Sequence, residues 1–168
     1  MKEPIGNEIR PTSGFVKESV FNIVQFDIEG RSILDLFAGT GQIGIEALSR
    51  GARSAAFVDS SPRSIKLIKE NLELCKVTEF ASVYSADVLR FLERDEKFDF
   101  IYVDPPYDSM LAETTLLKIA QLDKININGI MLTESRYDTV LPVLVPPYEI
   151  VKEYKYGNVK LTKHTRKP

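Results

Sequence analysis

The stretch "FDFIYVDPPYDS", Phe98 to Ser109, runs from apolar residues into an acid, two prolines and an aromatic ring. Those types suit one class of acceptor. An exocyclic amino nitrogen on a nucleobase is a poor nucleophile because its lone pair is delocalised into the ring. Two oxygens, the Asp104 carboxylate and the Pro105 carbonyl, can hold both N–H groups and favour the tetrahedral nitrogen that attacks a methyl. Pro105 and Pro106 have fixed φ and no N–H, which makes a rigid turn that presents carbonyls. Tyr107 adds a face on which a flipped or unpaired base can stack, typically worth about 1–3 kcal/mol. This chemistry needs no strong general base, and the one histidine, His164, lies in the C-terminal tail. A second Pro-Pro-Tyr, Pro146 to Tyr148, follows Val145 instead of an acid. It lacks an anionic acceptor and is expected to be a structural turn.

A second constellation lies upstream. "DLFAGTGQIGIEALSRGA" contains G-x-G-x-x-G at Gly39, Gly41 and Gly44, a turn shared by dinucleotide-binding proteins and by proteins that bind S-adenosylmethionine. Asp35 discriminates between them. A carboxylate four residues before the first glycine attracts the ammonium of a sulfonium cofactor and repels a pyrophosphate. Phe37, in the same turn, joins the candidate cofactor residues. Asp59, followed by Ser60 in "AAFVDSS", can accept hydrogen bonds from both ribose hydroxyls, since Ser60 and Ser61 already meet the capping need of the next helix. Asp87, before Val88 in "SADVLRFL", is placed either to receive an adenine amino group or to cap the following helix.

The elements that must position these residues follow from periodicity. Strands are expected at "SILDLF", "SAAFVD", "ASVYSA" and "FDFIYVD", read as buried, with "GIMLTES" a fifth, and "YEIVKEYKYGNVKLTKH" alternates as a hairpin turning at Gly157-Asn158. Helices fit between them at "QIGIEALSR", ended by Gly51, at "SPRSIKLIKENLELC", with Ser61 as N-cap and Pro62 first, at "VLRFLERD" and at "SMLAETTLLKIAQL". An N-terminal segment, "RPTSGFVKESVFNIVQF", repeats Val16, Val20, Ile23 and Val24 at helical spacing. The predicted architecture is a three-layer α/β sandwich, mostly parallel, closing on an antiparallel hairpin. Its ligands should gather at the carboxyl ends of the strands.

Composition bounds the rest. The chain has 168 residues, 43% hydrophobic and 27% charged, with net charge −2. That size suits a single domain over 1–168, with a helical segment, 1–27, packed on a core, 28–168. No apolar run is long enough for a membrane helix and no leader is evident, so a cytoplasmic protein without a membrane partner is expected. Lone Cys75 excludes an internal disulfide and reads as core filler. Any nucleic-acid contact must come from a local patch, and Lys160, Lys163, Arg166 and Lys167 form either that patch or a solvated basic end.

On "RPTSGFVKESVFNIV", "ILDLFAGTGQIGIEALSRGA", "FVDSS", "ADVLRFL", "FDFIYVDPPY" and "KYGNVKLT", the chain resembles class I S-adenosylmethionine-dependent methyltransferases with a Rossmann-like sheet. More narrowly, it resembles the bacterial family that methylates guanine N2 in 16S rRNA. The resemblance implies that Asp35, Gly39 and Gly41 line the methionine end of the cofactor, that Asp59 holds the ribose, and that Asp87 and Val88 hold the adenine. It implies that Asp104, Pro105 and Tyr107 hold the target base, with Arg10 and Thr12 bordering the site as substrate-binding residues. S-adenosylmethionine without a metal is the implied cofactor, and S-adenosylhomocysteine the product. The implied substrate is 16S rRNA in an assembling small subunit, acted on by a monomer. An adenine-N6 DNA methyltransferase, a non-catalytic RNA-binding or assembly factor and an NAD-dependent oxidoreductase are the competing readings.

Overall fold

The computed structural model describes Met1, residues 13–107 and residues 110–168. Arg10 and Thr12 lie outside the described residues. Helix α1, Gly14–Val24, is capped by the Ser13 side chain, which accepts from the Val16 N–H. The strands are β1 (Ser32–Leu36), β2 (Ser54–Asp59), β3 (Ala81–Ser85), β4 (Phe98–Val103), β5 (Ile125–Arg136), β6 (Tyr148–Tyr156) and β7 (Val159–Arg166). Between them run α2 (Gln42–Ser49), α3 (Pro62–Leu74), α4 (Val88–Phe91) and α5 (Leu111–Gln121).

Among the described residues, seven strands form one sheet in the order β3-β2-β1-β4-β5-β7-β6. The first five are parallel neighbours, and β7 is antiparallel to both β5 and β6. One face packs Val16, Val20, Phe21 and Val24 of α1 with apolar residues of α2 and α3. The other packs α4, α5 and the segment bearing Leu141 and Leu144. Helices on both faces make the expected three-layer α/β sandwich, with its C-terminal antiparallel hairpin. Strand order reverses between β1 and β4, which opens a crevice at their carboxyl ends.

Several local expectations are corrected. β3 is an edge strand with no buried residue, because only β2 pairs with it. Cys75 is exposed, since the buried stripe of α3 ends at Leu72 and the cysteine falls at the C-cap. Helix α4 is a single turn. β5 begins four residues before the expected "GIMLTES", and the register shift in its pairing with β4 absorbs the extra length.

The C-terminal tail is folded rather than loose. His164 is fully buried in β7, and its ring nitrogens find no hydrogen-bond partner among the described residues. Burial pushes its pKa down to about 4, against the opposing charge of Glu153. The four tail cations are ion-paired: Lys160 with Glu153 at 3.0 Å, Lys163 with Asp27 at 2.9 Å, Arg166 with Asp123 at 2.7 Å and Lys167 with Glu149 at 2.9 Å. Alternation along β7 sends Lys160 and Lys163 to opposite faces of the sheet. They do not form one basic patch.

Candidate active site

Beyond β1 the backbone enters the left-handed region at Phe37 (φ 60°), Gly39 (φ 58°) and Gly41 (φ 78°). Glycine accepts such angles without strain, whereas Phe37 is held there by its surroundings. The third glycine of the motif acts by size. A Cβ on Gly44 would lie 2.3 Å from the Phe57 ring, so only glycine lets α2 seat this closely on β2.

Two carboxylates fix this turn. Asp59, at the end of β2, accepts from the Gly39 N–H through Oδ2 at 2.9 Å and from the Ser61 N–H through Oδ1 at 2.8 Å. Asp35 is buried in β1, and its Oδ2 accepts from the Gly44 N–H at 3.0 Å. Burial raises the Asp35 pKa to about 8; the Gly44 N–H opposes the rise and the nearby Asp59 charge adds to it.

The crevice has two lobes that share Phe37. Asp35, Gly39, Tyr102 and Asp104 line one. Asp59, Ser60, Asp87, Val88 and Pro106 line the other. The structure thus brings the strand-end acids of β1, β2 and β4, together with Asp87 after β3, to two neighbouring lobes on either side of Phe37. Pro105 is buried beneath the turn, while Pro106 is exposed above it. Asp87 performs the capping alternative, since its Oδ1 accepts from the Arg90 N–H at 3.0 Å, and it lines the second lobe as well. Three aspartates and the protonated Asp35 suit a ligand that brings positive charge and hydrogen-bond donors.

One residue was missed by sequence reasoning. Glu134, near the end of β5, is buried and accepts from the hydroxyls of both Tyr102 and Tyr107. The rule that found Asp35, Asp59 and Asp104, an acid closing an apolar strand, would have found it in "GIMLTES". The second Pro-Pro-Tyr has the expected structural role: the Tyr148 N–H closes a turn on the Val145 carbonyl at 3.1 Å, and its buried hydroxyl donates to Asp123 at 2.8 Å.

Among known proteins, the family model described as "Conserved hypothetical protein 95" matches residues 1–165. A Bacillus subtilis protein provisionally named rRNA methyltransferase YlbH is 35% identical over 161 residues, 94% of this chain and 88% of its own length. Ribosomal RNA small subunit methyltransferase D of Haemophilus influenzae is 32% identical over 165 residues, 94% of this chain and 84% of its own. Among solved structures, the Escherichia coli protein yhhF, provisionally titled a methyltransferase, superposes with a TM-score of 0.87 at 26% identity, covering 95% of this chain and 89% of that one.

Proposed function

The chain belongs to the family described as conserved hypothetical protein 95, and from that premise we propose that it is an S-adenosylmethionine-dependent methyltransferase acting on the exocyclic N2 of a guanine in 16S rRNA. The observation that carries this reading is the shared lobe: Asp104, at the acid-Pro-Pro-Tyr turn, borders the same cavity as Asp35 and Gly39. A donor-binding turn and an amino-group acceptor therefore face one space.

When bound, S-adenosylmethionine supplies an electrophilic methyl group on its sulfonium and leaves as S-adenosylhomocysteine. The donor set fits it, because its ammonium, ribose diol and adenine amine each need acceptors. Asp35 holds the ammonium, beside Gly39 and Gly41. Asp59, already anchored by two backbone N–H groups, offers its remaining lone pairs to the ribose hydroxyls, with Ser60 and Phe37 beside it. Asp87 and the buried Val88 hold the adenine. On the acceptor side, the Asp104 carboxylate and the Pro105 carbonyl hold the two N–H groups of the base, and Tyr107 stacks on it. The nitrogen would gain a bond to the methyl carbon as the carbon–sulfur bond breaks, and its surplus proton would pass by way of the Asp104 carboxylate to solvent. The RNA is presented in the cytoplasm on an assembling small subunit to a monomer of this protein.

Tritiated methyl transfer to undermethylated small subunits, to naked RNA and to duplex DNA, followed by nucleoside identification, tests the reading. Label is expected in N2-methylguanosine, with the particle favoured over naked RNA. Label in N6-methyldeoxyadenosine from a DNA substrate would overturn it.

A further inference from the structure

Glu134 joins two tyrosines through one carboxylate. Its Oε2 accepts from the Tyr102 hydroxyl at 2.6 Å and its Oε1 from the Tyr107 hydroxyl at 2.7 Å. Its place follows from register: Tyr102 pairs with Leu132 and Val103 with Thr133 across parallel β4 and β5. One step further, Glu134 stands level with Asp104 on the neighbouring strand, on the face that Tyr102 and Leu132 share. Glu134 is 6% exposed, a position where a carboxylate is costly unless both oxygens are satisfied, as they are here. Burial first, then the charges of Asp104 and Glu134, keep the Tyr102 phenol well above its usual pKa, so it stays a donor. Tyr107 belongs to the turn beside the acceptor cavity, and its ring is half-buried. Its hydroxyl is fastened to the sheet by a residue 27 positions away.

We propose that Glu134 is a positioning residue for methyl transfer: by holding the Tyr107 hydroxyl, it sets the ring plane of Tyr107 against the Asp104-Pro105-Pro106 turn. The stacked base then meets that ring at a set distance from the Asp104 carboxylate. Glu134 acts through Tyr107 and does not touch the base. This rests on the reading that Tyr107 stacks on the acceptor.

The test is single-turnover methyl transfer with the full chain, together with S-adenosylmethionine binding and thermal melting. Glu134→Ala should lower the transfer rate on the order of 10²-fold, the scale of a misplaced reactant, with unchanged S-adenosylmethionine affinity. Glu134→Gln, which can accept from one phenol and donate to the other, should restore most of that loss. Tyr107→Phe should slow transfer, and adding Glu134→Ala to it should slow transfer less than the product of the single effects. A wild-type rate in Glu134→Ala, a glutamine variant no better than alanine, or independent effects of Tyr107→Phe and Glu134→Ala would overturn the proposal. Should Glu134→Ala fail to fold, Tyr107→Phe removes the same hydrogen bond from the other side, and an unchanged rate there overturns it. If the wild-type protein methylates neither particle nor RNA, the functional reading falls, and ring-labelled tyrosine NMR still decides the positioning claim. Glu134→Gln should then shift both the Tyr102 and Tyr107 resonances, and an unmoved Tyr107 would refute it.

Discussion

Asp104 and Asp59 are both strand-end carboxylates, and their surroundings give them different work. Asp59 clamps the glycine turn through two backbone N–H groups, whereas Asp104 lines the lobe it shares with Asp35 and Gly39, where we propose the acceptor enters. Asp104→Ala should therefore cut methyl transfer by about 10²–10³-fold, the loss typical for one group that stabilises a transition state, with cofactor affinity nearly unchanged. Asp59→Ala should act in reverse and raise the cofactor dissociation constant first; calorimetry beside single-turnover rates separates the two. Asp35 adds a pH signature. Its native pKa of about 8 exceeds its ordinary 3.8, so between those values the folded state binds more protons than the unfolded one. Its contribution to stability is fully present below pH ~4, falls as pH rises, and is lost above pH ~8. In denaturant melts, Asp35→Asn should gain on the wild type as pH rises through that window. Capture of an ammonium by Asp35 favours its ionised form. Cofactor binding at pH 7 should thus release up to ~1 proton, read by calorimetry in buffers of different ionisation heat.

At the scale of elements, the fit of α2 on β2 governs the turn. Gly44 lies against the Phe57 ring while its N–H holds Asp35, so a methyl there pushes on both the helix and the buried carboxylate. Gly44→Ala should destabilise the protein by about 1–3 kcal/mol through overpacking and weaken cofactor binding. Gly14→Ala is the control, since a Cβ there meets nothing within 4 Å; it should leave both measurements nearly unchanged. The lengthening of β5 has a similar cause. A Cβ on Gly129 would lie 2.5 Å from Ile125 and 2.8 Å from the Asn126 carbonyl, so glycine lets the strand pass its irregularity and aim Glu134 at the site.

Across the whole molecule, Asp123 ties distant parts of the sheet together. In the turn between α5 and β5, it accepts from Arg166 at 2.7 and 3.0 Å, from Lys97 at 2.6 Å and from Tyr148 at 2.8 Å. The start of β4, the start of β6 and the end of β7 thus meet on one side chain. The Arg166 bonds, offset in part by desolvation and reinforced by Lys97 and Tyr148, hold its carboxyl far below the usual carboxylate range. A depressed carboxyl stabilises the fold above its unfolded pKa and loses that contribution as pH falls toward its native pKa. Asp123→Asn tolerates the positive φ of 49°, removes the charge and turns one acceptor oxygen into a donor that faces other donors. It should cost about 1 kcal/mol at pH 7, discounted for partial exposure, and progressively less below pH 4, as urea melts at the two pH values would show.

Local chemistry made much of this protein legible from its sequence. Strand alternation, the Ser61-Pro62 helix start, the Gly157-Asn158 turn and the acid before Pro105 each depend on near neighbours, and each lies where expected. The acids closing β1, β2 and β4 pointed to a cleft, because consecutive parallel strands must deliver their carboxyl ends to one side. Strand order and register are set by hydrogen bonds between remote segments, and they decided the rest. Those bonds leave β3 at an edge, enclose His164 and bring Glu134 to Tyr107. They also bring Lys163 to Asp27, 136 residues earlier, which turns an apparent basic tail into ion pairs within the fold.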